Sequence, residues 1–265
     1  MKQQIRDALP ENHPWAESIH YFDCVDSTND RAKELARTGA PHGTVLIANR
    51  QTHGRGRMGR SFESPKSMGI YMSVILRPDC SPEQLMHLTC AVATAVCDAV
   101  EYVSGLRPGV KWINDLVLNR RKLGGILTEL ALHPTGKVQY AIVGIGINCC
   151  QKPEDFPESL RPIAISLETA TGQPASRPAL AAAMIHSLEA MSGRLLSHKA
   201  EIMGHYRQDC ITLGHEVQFV RDGKMLQGIA QAIDHDGALQ VLIADGQILS
   251  IAAGEVSVRG LYGYC

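Results

Sequence analysis

The chain has 265 residues, 45% hydrophobic and 20% charged, with a formal net charge of −1. That length buries one sizeable core, or one large and one small, and the composition is that of an ordinary soluble globular protein. Near-neutral charge argues against a general nucleic-acid binder, which is usually basic over a whole face. The N-terminus MKQQIRDALPENHPWAESIH lacks the apolar core of a signal peptide, and no run approaches the roughly 18 apolar residues of a membrane span. Eight cysteines without a CxxC pair, and eleven scattered histidines, predict a cytoplasmic chain with reduced thiols and no zinc site. His215-Glu216 opens like HExxH, but Phe219 stands where the second histidine is needed.

In chain order, IHYFDC (19–24) reads as a short strand. DSTNDRAKELARTG follows as a helix, with Ser27 and Asp30 in a capping-box pattern and Gly39 ending it. TVLIANR (44–50) and GIYMSVIL (69–76) read as strands. The segment 82–103 reads as one long helix with Pro82 in its first turn. VKWINDLVLN, GGILTELALH and VQYAIVGIGIN predict three strands, connected at Arg120-Arg121 and at Pro134-Thr135-Gly136. Residues 151–176 read as a loop and 178–206 as helical. From Gly214, Asp222-Gly223, Asp236-Gly237 and Asp245-Gly246 punctuate short β-rich runs, the pattern of a small barrel. The expectation is an α+β domain over 1–212, built on a mixed or antiparallel sheet, and a small β-barrel domain over 213–265.

Between the second and third strands lies HGRGRMGR (53–60). With Arg50, four arginines fall within eleven residues, interleaved with Gly54, Gly56 and Gly59. Such a segment neither packs a core nor holds a stable helix, so its local charge suits a small anion.

Five segments stand out together: DSTN (26–29), QTHGRGRMGR (51–60), KWINDL (111–116), RKLGGIL (121–127) and GIGIN (144–148). In that order and spacing they resemble the catalytic domain of bacterial biotin protein ligases. GEVSVR (254–259) is similar to that family's terminal barrel. The resemblance implies a class II synthetase-like α+β fold with an SH3-like C-terminal barrel. It implies an enzyme that makes biotinyl-5′-AMP from biotin and ATP, with Mg²⁺ whose ligands stay unassigned, then transfers biotin to a lysine of an apo biotin carboxyl carrier protein, usually an acetyl-CoA carboxylase subunit. About twenty residues precede the catalytic core, so the monofunctional form is expected, without the DNA-binding domain many members carry; a monomer and a homodimer both stay open. The family tends to carry Trp shortly after the Arg/Gly loop, where this chain has Phe62.

By this resemblance the biotin site takes Ser27, Thr28, Asn29, Gln51, Gly54, Arg55, Gly56, Arg57, Lys122, Gly125 and Gly146. The nucleotide site takes Arg55, Arg57, Arg60, Lys111, Asn114 and Asn148, and Lys122, Arg57 and Asp115 are the catalytic candidates. The residue chemistry agrees. A carboxylate attacking an α-phosphorus brings two anions together, and at ~4 Å their repulsion costs roughly 1 kcal/mol in water and several times more at a protein's lower dielectric. Cationic and N–H donors offset it. A ureido ring offers one acceptor and two N–H donors, which the hydroxyls and amides of Ser27, Thr28, Asn29 and Gln51 match. Arg259 is a further nucleotide candidate, Trp112 reads as core, and Cys149 and Cys150 read as packing residues. Two alternatives remain: a lipoate or octanoate ligase or transferase of the same superfamily, and a nucleic-acid binding module using the Arg/Gly loop.

Overall fold

The computed structural model describes residues 1–221 and 223–252 in full, and 259–260 as backbone. The chain runs α1 (Lys2–Ala8), β1 (Ile19–Phe22), α2 (Thr28–Arg37), β2 (Thr44–Ala48), β3 (Gly69–Leu76), α3 (Leu88–Ser104), β4 (Gly109–Lys111), β5 (Asp115–Leu118), β6 (Arg121–Leu132) and β7 (Val138–Asn148). Helices α4 (Leu167–Thr171), α5 (Arg177–Arg194) and α6 (Lys199–Asp209) follow, then strands β8 (Glu216–Arg221), β9 (Lys224–Ile233), β10 (Leu239–Ile243), β11 (Ile248–Ile251) and β12 (Arg259–Gly260).

Seven strands form the main sheet in the order β1-β2-β3-β7-β6-β5-β4. Only β1 and β2 pair in parallel, so the sheet is mixed, as expected for α+β. Alternation along the strands sorts side chains between its faces. Leu46, Ile75, Tyr140 and Ile142 meet Ala32 and Ala36 of α2 on one face. Val45, Ile47, Val74 and Val143 belong to the larger core containing α3 and α5. Helix α3 is apolar nearly all round because sheet, α5 and α6 enclose it. The stretch Pro82–Ser104 is long and apolar enough to cross a membrane, but two thirds (67%) of its most apolar part is buried inside the fold.

Several boundaries differ from the sequence reading. The segment 82–103 is a 3₁₀ turn, Pro82–Leu85, closed by a Ser81/Gln84 capping box, and α3 starts only at Leu88. VKWINDLVLN is two strands rather than one, because a tight turn at 112–114 sets Lys111 opposite Asp115. The following connection is Asn119-Arg120, both at positive φ (49° and 59°), a hairpin turn that asparagine tolerates well. Within 151–176, Ser166 caps the short α4 by accepting from the Thr169 N–H. The helical region is divided between α5 and α6.

The second sheet is antiparallel, in the order β11-β10-β9-β8-β12. Val217, Phe219, Ala230, Ile233, Leu239, Val241 and Ile251 are its buried side chains among the described residues. It is tied to the first unit through Trp112, whose Nε1–H donates to Gly237 O (2.9 Å), and through the Lys199–Asp236 ion pair. Trp112 is 4% exposed, so the core reading holds. Glu255 and most of GEVSVR lie outside the described residues, and Arg259 enters only as backbone of β12.

Candidate active site

A cavity of about 640 Å³ opens between the N-terminus of α2, the Arg/Gly loop, the Lys111–Asp115 turn and the central strands β6 and β7. Its wall includes Ser27, Thr28, Asn29, Gln51, Arg55, Gly56, Arg57, Arg60, Lys111, Asn114, Asp115, Lys122, Gly125 and Gly146. Segments far apart in the sequence thus share one cleft. Two residues on the candidate list are not brought to this wall. Gly54 is buried behind it, where an added Cβ would strike Ser64 Oγ at 2.7 Å. Asn148 is turned the other way: its Nδ2 donates to Ile165 O (3.3 Å) and its Oδ1 accepts from Gln151 Nε2 (3.1 Å).

The Arg/Gly loop folds back on itself. Phe62 N–H donates to Gly54 O (2.8 Å) and Gly56 N–H to Arg60 O (2.7 Å), which leaves Met58 at the exposed tip. Its root is tied to the DSTN segment, because Thr52 N–H donates to Val25 O and His53 N–H to Asp26 O, both at 2.9 Å. Phe62 reaches inward and stacks edge-on against Tyr71, their ring centroids 6.4 Å apart. It also explains Gly146: a Cβ there would sit 2.5 Å from the Phe62 ring.

Among the described residues, five cations line the cavity, Arg55, Arg57, Arg60, Lys111 and Lys122, against the single acid Asp115. Lys122 Nζ donates to Asp115 Oδ1 at 2.6 Å, and Arg57 donates to Asn114 Oδ1 at 2.9 Å. Asn114 in turn donates to Ile126 O (3.0 Å), so the loop is buttressed by β6 through one amide. Burial lowers the Arg57 pKa from its ordinary value, partly opposed by the Asp115 charge; a guanidinium stays protonated all the same. Lys122 is held at its backbone by the 157–165 segment, which accepts from it at Ile163 O (2.7 Å) and donates to it from Ile165 (2.9 Å). Leu160 and Ile163 of that segment supply apolar wall.

The DSTN end corrects the capping-box reading. Ser27 is the N-cap residue of α2, yet its hydroxyl makes no cap hydrogen bond. Asp30 is drawn away by cations, lying 2.7 Å from Arg55 and 3.5 Å from Lys33. Thr28 N–H donates to Gln51 Oε1 (2.8 Å), with Thr28 Oγ1 3.0 Å from the same oxygen, and Gln51 Nε2 donates to Ser64 Oγ (2.9 Å). Asn29 is already committed inside the protein: Nδ2 donates to Glu129 Oε2 (2.9 Å) and Oδ1 lies 2.6 Å from Ser73 Oγ.

Glu129 and Ser73 were missed by the sequence reading. The signal for Glu129 was present, since residues 125, 127 and 129 share one face of β6 by strand alternation and the first two line the cavity. Burial pushes the Glu129 carboxyl up, but hydrogen bonds from Lys33 and Asn29, with the charges of Lys33 and Arg55, outweigh it and hold its pKa below the ordinary value. Among the described residues, the one group of three His, Cys, Asp or Glu side chains close enough to share a metal is His13, His186 and Glu189, outside this cavity. There His13 Nδ1 accepts from Trp15 N–H (3.2 Å), so the neutral ring carries its proton on Nε2 and offers no second lone pair.

Comparison with known proteins places the chain in a family. Residues 21–148 match the biotin/lipoate A/B protein ligase family, and residues 212–259 match the biotin protein ligase C-terminal domain. The chain is 33% identical over 236 residues to the biotin–[acetyl-CoA-carboxylase] ligase of Mycobacterium tuberculosis, covering 87% of this chain and 85% of that one. It is 40% identical over 176 residues to the bifunctional ligase/repressor BirA of Bacillus subtilis, and that match spans 66% of this chain but about half (54%) of the relative. The biotin protein ligase of Aquifex aeolicus, solved with biotin and ATP, superposes with a TM-score of 0.77 at 29% identity, covering 91% of this chain and 98% of that one. The chain belongs to the biotin protein ligase family.

Proposed function

We propose that the protein is an ATP-dependent ligase that activates biotin as biotinyl-5′-AMP and transfers it to a lysine of a biotin carboxyl carrier protein in the cytoplasm. The observation that carries this reading is one cavity holding a polar, hydrogen-bonding wall at Ser27, Thr28 and Gln51 beside five cations. The first recognises the ureido ring and the second receives the carboxylate and the triphosphate. A biotin carboxylate oxygen attacks the α-phosphorus, the α–β phosphoanhydride bond breaks, and pyrophosphate leaves. Lys122, Arg57 and Arg55 are the groups assigned to the two approaching anions, where fixed positive charge favours the charge-rich transition state. Lys111, Asn114 and Arg60 are assigned to the nucleotide. ATP enters with Mg²⁺ as part of the substrate, and Asp115, already bonded to Lys122, is the one acid on the wall among the described residues.

In the second half-reaction the carrier lysine amine attacks the acyl carbonyl, the C–O bond to phosphate breaks, AMP leaves and the amine loses a proton. Asp115, the one carboxylate on the wall among the described residues, is assigned to orient that amine. The Arg/Gly loop is the lid that keeps water from the mixed anhydride between the two steps. We divide the chain into a catalytic domain, 1–212, and a C-terminal SH3-like barrel, 213–265. The test is incubation with ATP, labelled biotin or lipoate, and an apo carrier domain. Pyrophosphate release and carrier labelling that require biotin support the reading; a requirement for lipoate, or no pyrophosphate release at all, removes it.

A further inference from the structure

Arg55 sits in the folded-back part of the Arg/Gly loop, bridged at its backbone to Ser61 and flanked by Gly54 and Gly56. Holding so long a side chain in one rotamer costs entropy, so a fixed guanidinium needs fixed partners. Two acids and two cations provide them. Arg55 Nη1 donates to Asp30 Oδ1 at 2.7 Å and Lys33 Nζ to Glu129 Oε1 at 2.6 Å. The crossed pairs are longer, Lys33–Asp30 at 3.5 Å and Arg55–Glu129 at 3.2 Å. Glu129 is thus taken up first by Lys33 and, on its other oxygen, by Asn29 at 2.9 Å. Asp30 is the acid that holds Arg55. It belongs to the first turn of α2, a rigid element, whereas Arg55 rides on a loop.

A guanidinium is planar and carries five N–H donors, so fixing one edge fixes the other. Nη1 makes the hydrogen bonds to both acids, to Asp30 and at 3.4 Å to Glu129, which leaves protons on Nε and Nη2 for an anion in the cavity that Arg55 lines. We infer that Asp30 is a positioning residue for adenylate formation: without touching the ligands it sets the plane of the Arg55 guanidinium before biotin and ATP arrive. The inference rests on the biotin reading and adds to it what aims one of the assigned cations. Asp30 also opposes the Arg55 charge, which works against anion binding. Its side chain is 41% exposed, so solvent and salt screen that opposition, while they do nothing to restore a lost orientation.

The test is a double-mutant cycle on the full chain, read as the initial rate of pyrophosphate release over a range of biotin concentrations, with enough enzyme to measure slow variants. Asp30→Ala removes the acceptor and should lower the rate at saturating biotin and ATP at least about fivefold. The biotin concentration giving half that rate should move less than about twofold, because the wall at Ser27, Thr28 and Gln51 is untouched. In an Arg55→Ala background the same substitution should change the rate less than about twofold, since no guanidinium is left to aim. Asp30→Glu keeps the charge and should recover most of the wild-type rate. An equal loss with and without Arg55 would make Asp30 a mere support of the α2 start through the helix dipole and overturn the inference. So would a rate unchanged or raised in Asp30→Ala, or an Asp30→Glu variant no faster than Asp30→Ala. A wild-type protein that releases no pyrophosphate with biotin removes the biotin reading itself, an outcome distinct from these.

Discussion

Gly146→Ala tests how the loop is seated. The added methyl would lie 2.5, 2.6 and 2.9 Å from three atoms of the Phe62 ring, closer than real Cβ contacts come, so the ring must move. Phe62 cannot slide far, because its backbone N–H is bonded to Gly54 O at 2.8 Å and its carbonyl accepts from Ser64 Oγ at 2.9 Å. Overpacking of this kind costs about 1–3 kcal/mol. Because the displaced ring belongs to a surface loop rather than to the sheet, the cost falls on loop closure. The expected result is a melting temperature lowered by no more than about 2–4 °C, the shift about 1 kcal/mol gives in a chain of this size. Adenylate formation, in contrast, should fall about ten- to a hundredfold, the same 1–3 kcal/mol read at 1.4 kcal/mol per decade. The assay is pyrophosphate release for the wild type, Gly146→Ala, Phe62→Ala and the double variant. Phe62→Ala removes the ring that the methyl strikes, so the two losses should be strongly less than additive. Losses that add to within about 0.5 kcal/mol would refute the account of why residue 146 is glycine.

Lys122→Ala should abolish measurable adenylate formation while leaving the circular dichroism spectrum and melting temperature near wild type; near-normal turnover would contradict the role assigned to it. Glu129 is held below its ordinary carboxyl value, so its contribution to stability is fully present above its unfolded pKa near 4.5 and is lost as pH falls through the lower folded value. Melting temperature measured from about pH 7 to about pH 3 should therefore show an acid loss that Glu129→Gln flattens. Residues 53–65 should gain amide-exchange protection when biotin and ATP are added together, and unchanged exchange would remove the lid from the mechanism. Trp112→Phe deletes the N–H···O bond to Gly237 and leaves a buried carbonyl unpaired, for a loss of about 1–3 kcal/mol by denaturant titration.

The elements legible in the sequence were those whose pattern is set by local burial. GIYMSVIL is β3 to the residue, and the glycine after the DSTN helix sits at positive φ (94°) just beyond its last turn. What escaped was decided by tertiary partners. Nothing in PEQLMHL announces that His87 Nε2 will meet the Leu195 carbonyl at 2.9 Å, at the point where the 3₁₀ turn gives way to α3. The Ser27/Asp30 pattern is a fair capping signal, but Arg55, 25 residues on, competes for Asp30 and wins. Most of the cavity wall was readable because its motifs are contiguous in sequence. Asn29 was given a ligand-facing role from the resemblance and from its amide chemistry, and only the placement of Ser73 and Glu129 reveals that its amide is spent internally.

Trp112 is both a panel of the cavity and the hook from which the second sheet hangs. A single indole cannot serve two masters independently. A push on the 234–238 hairpin is shared among that ring, the Lys199–Asp236 ion pair and the Arg207 bonds to Ile233 O and Asp234 O, and the ring carries its part to the turn holding Lys111 and Asn114. Sequence drift in that hairpin should be answered by drift around KWIND, two stretches far apart along the chain that must change in step.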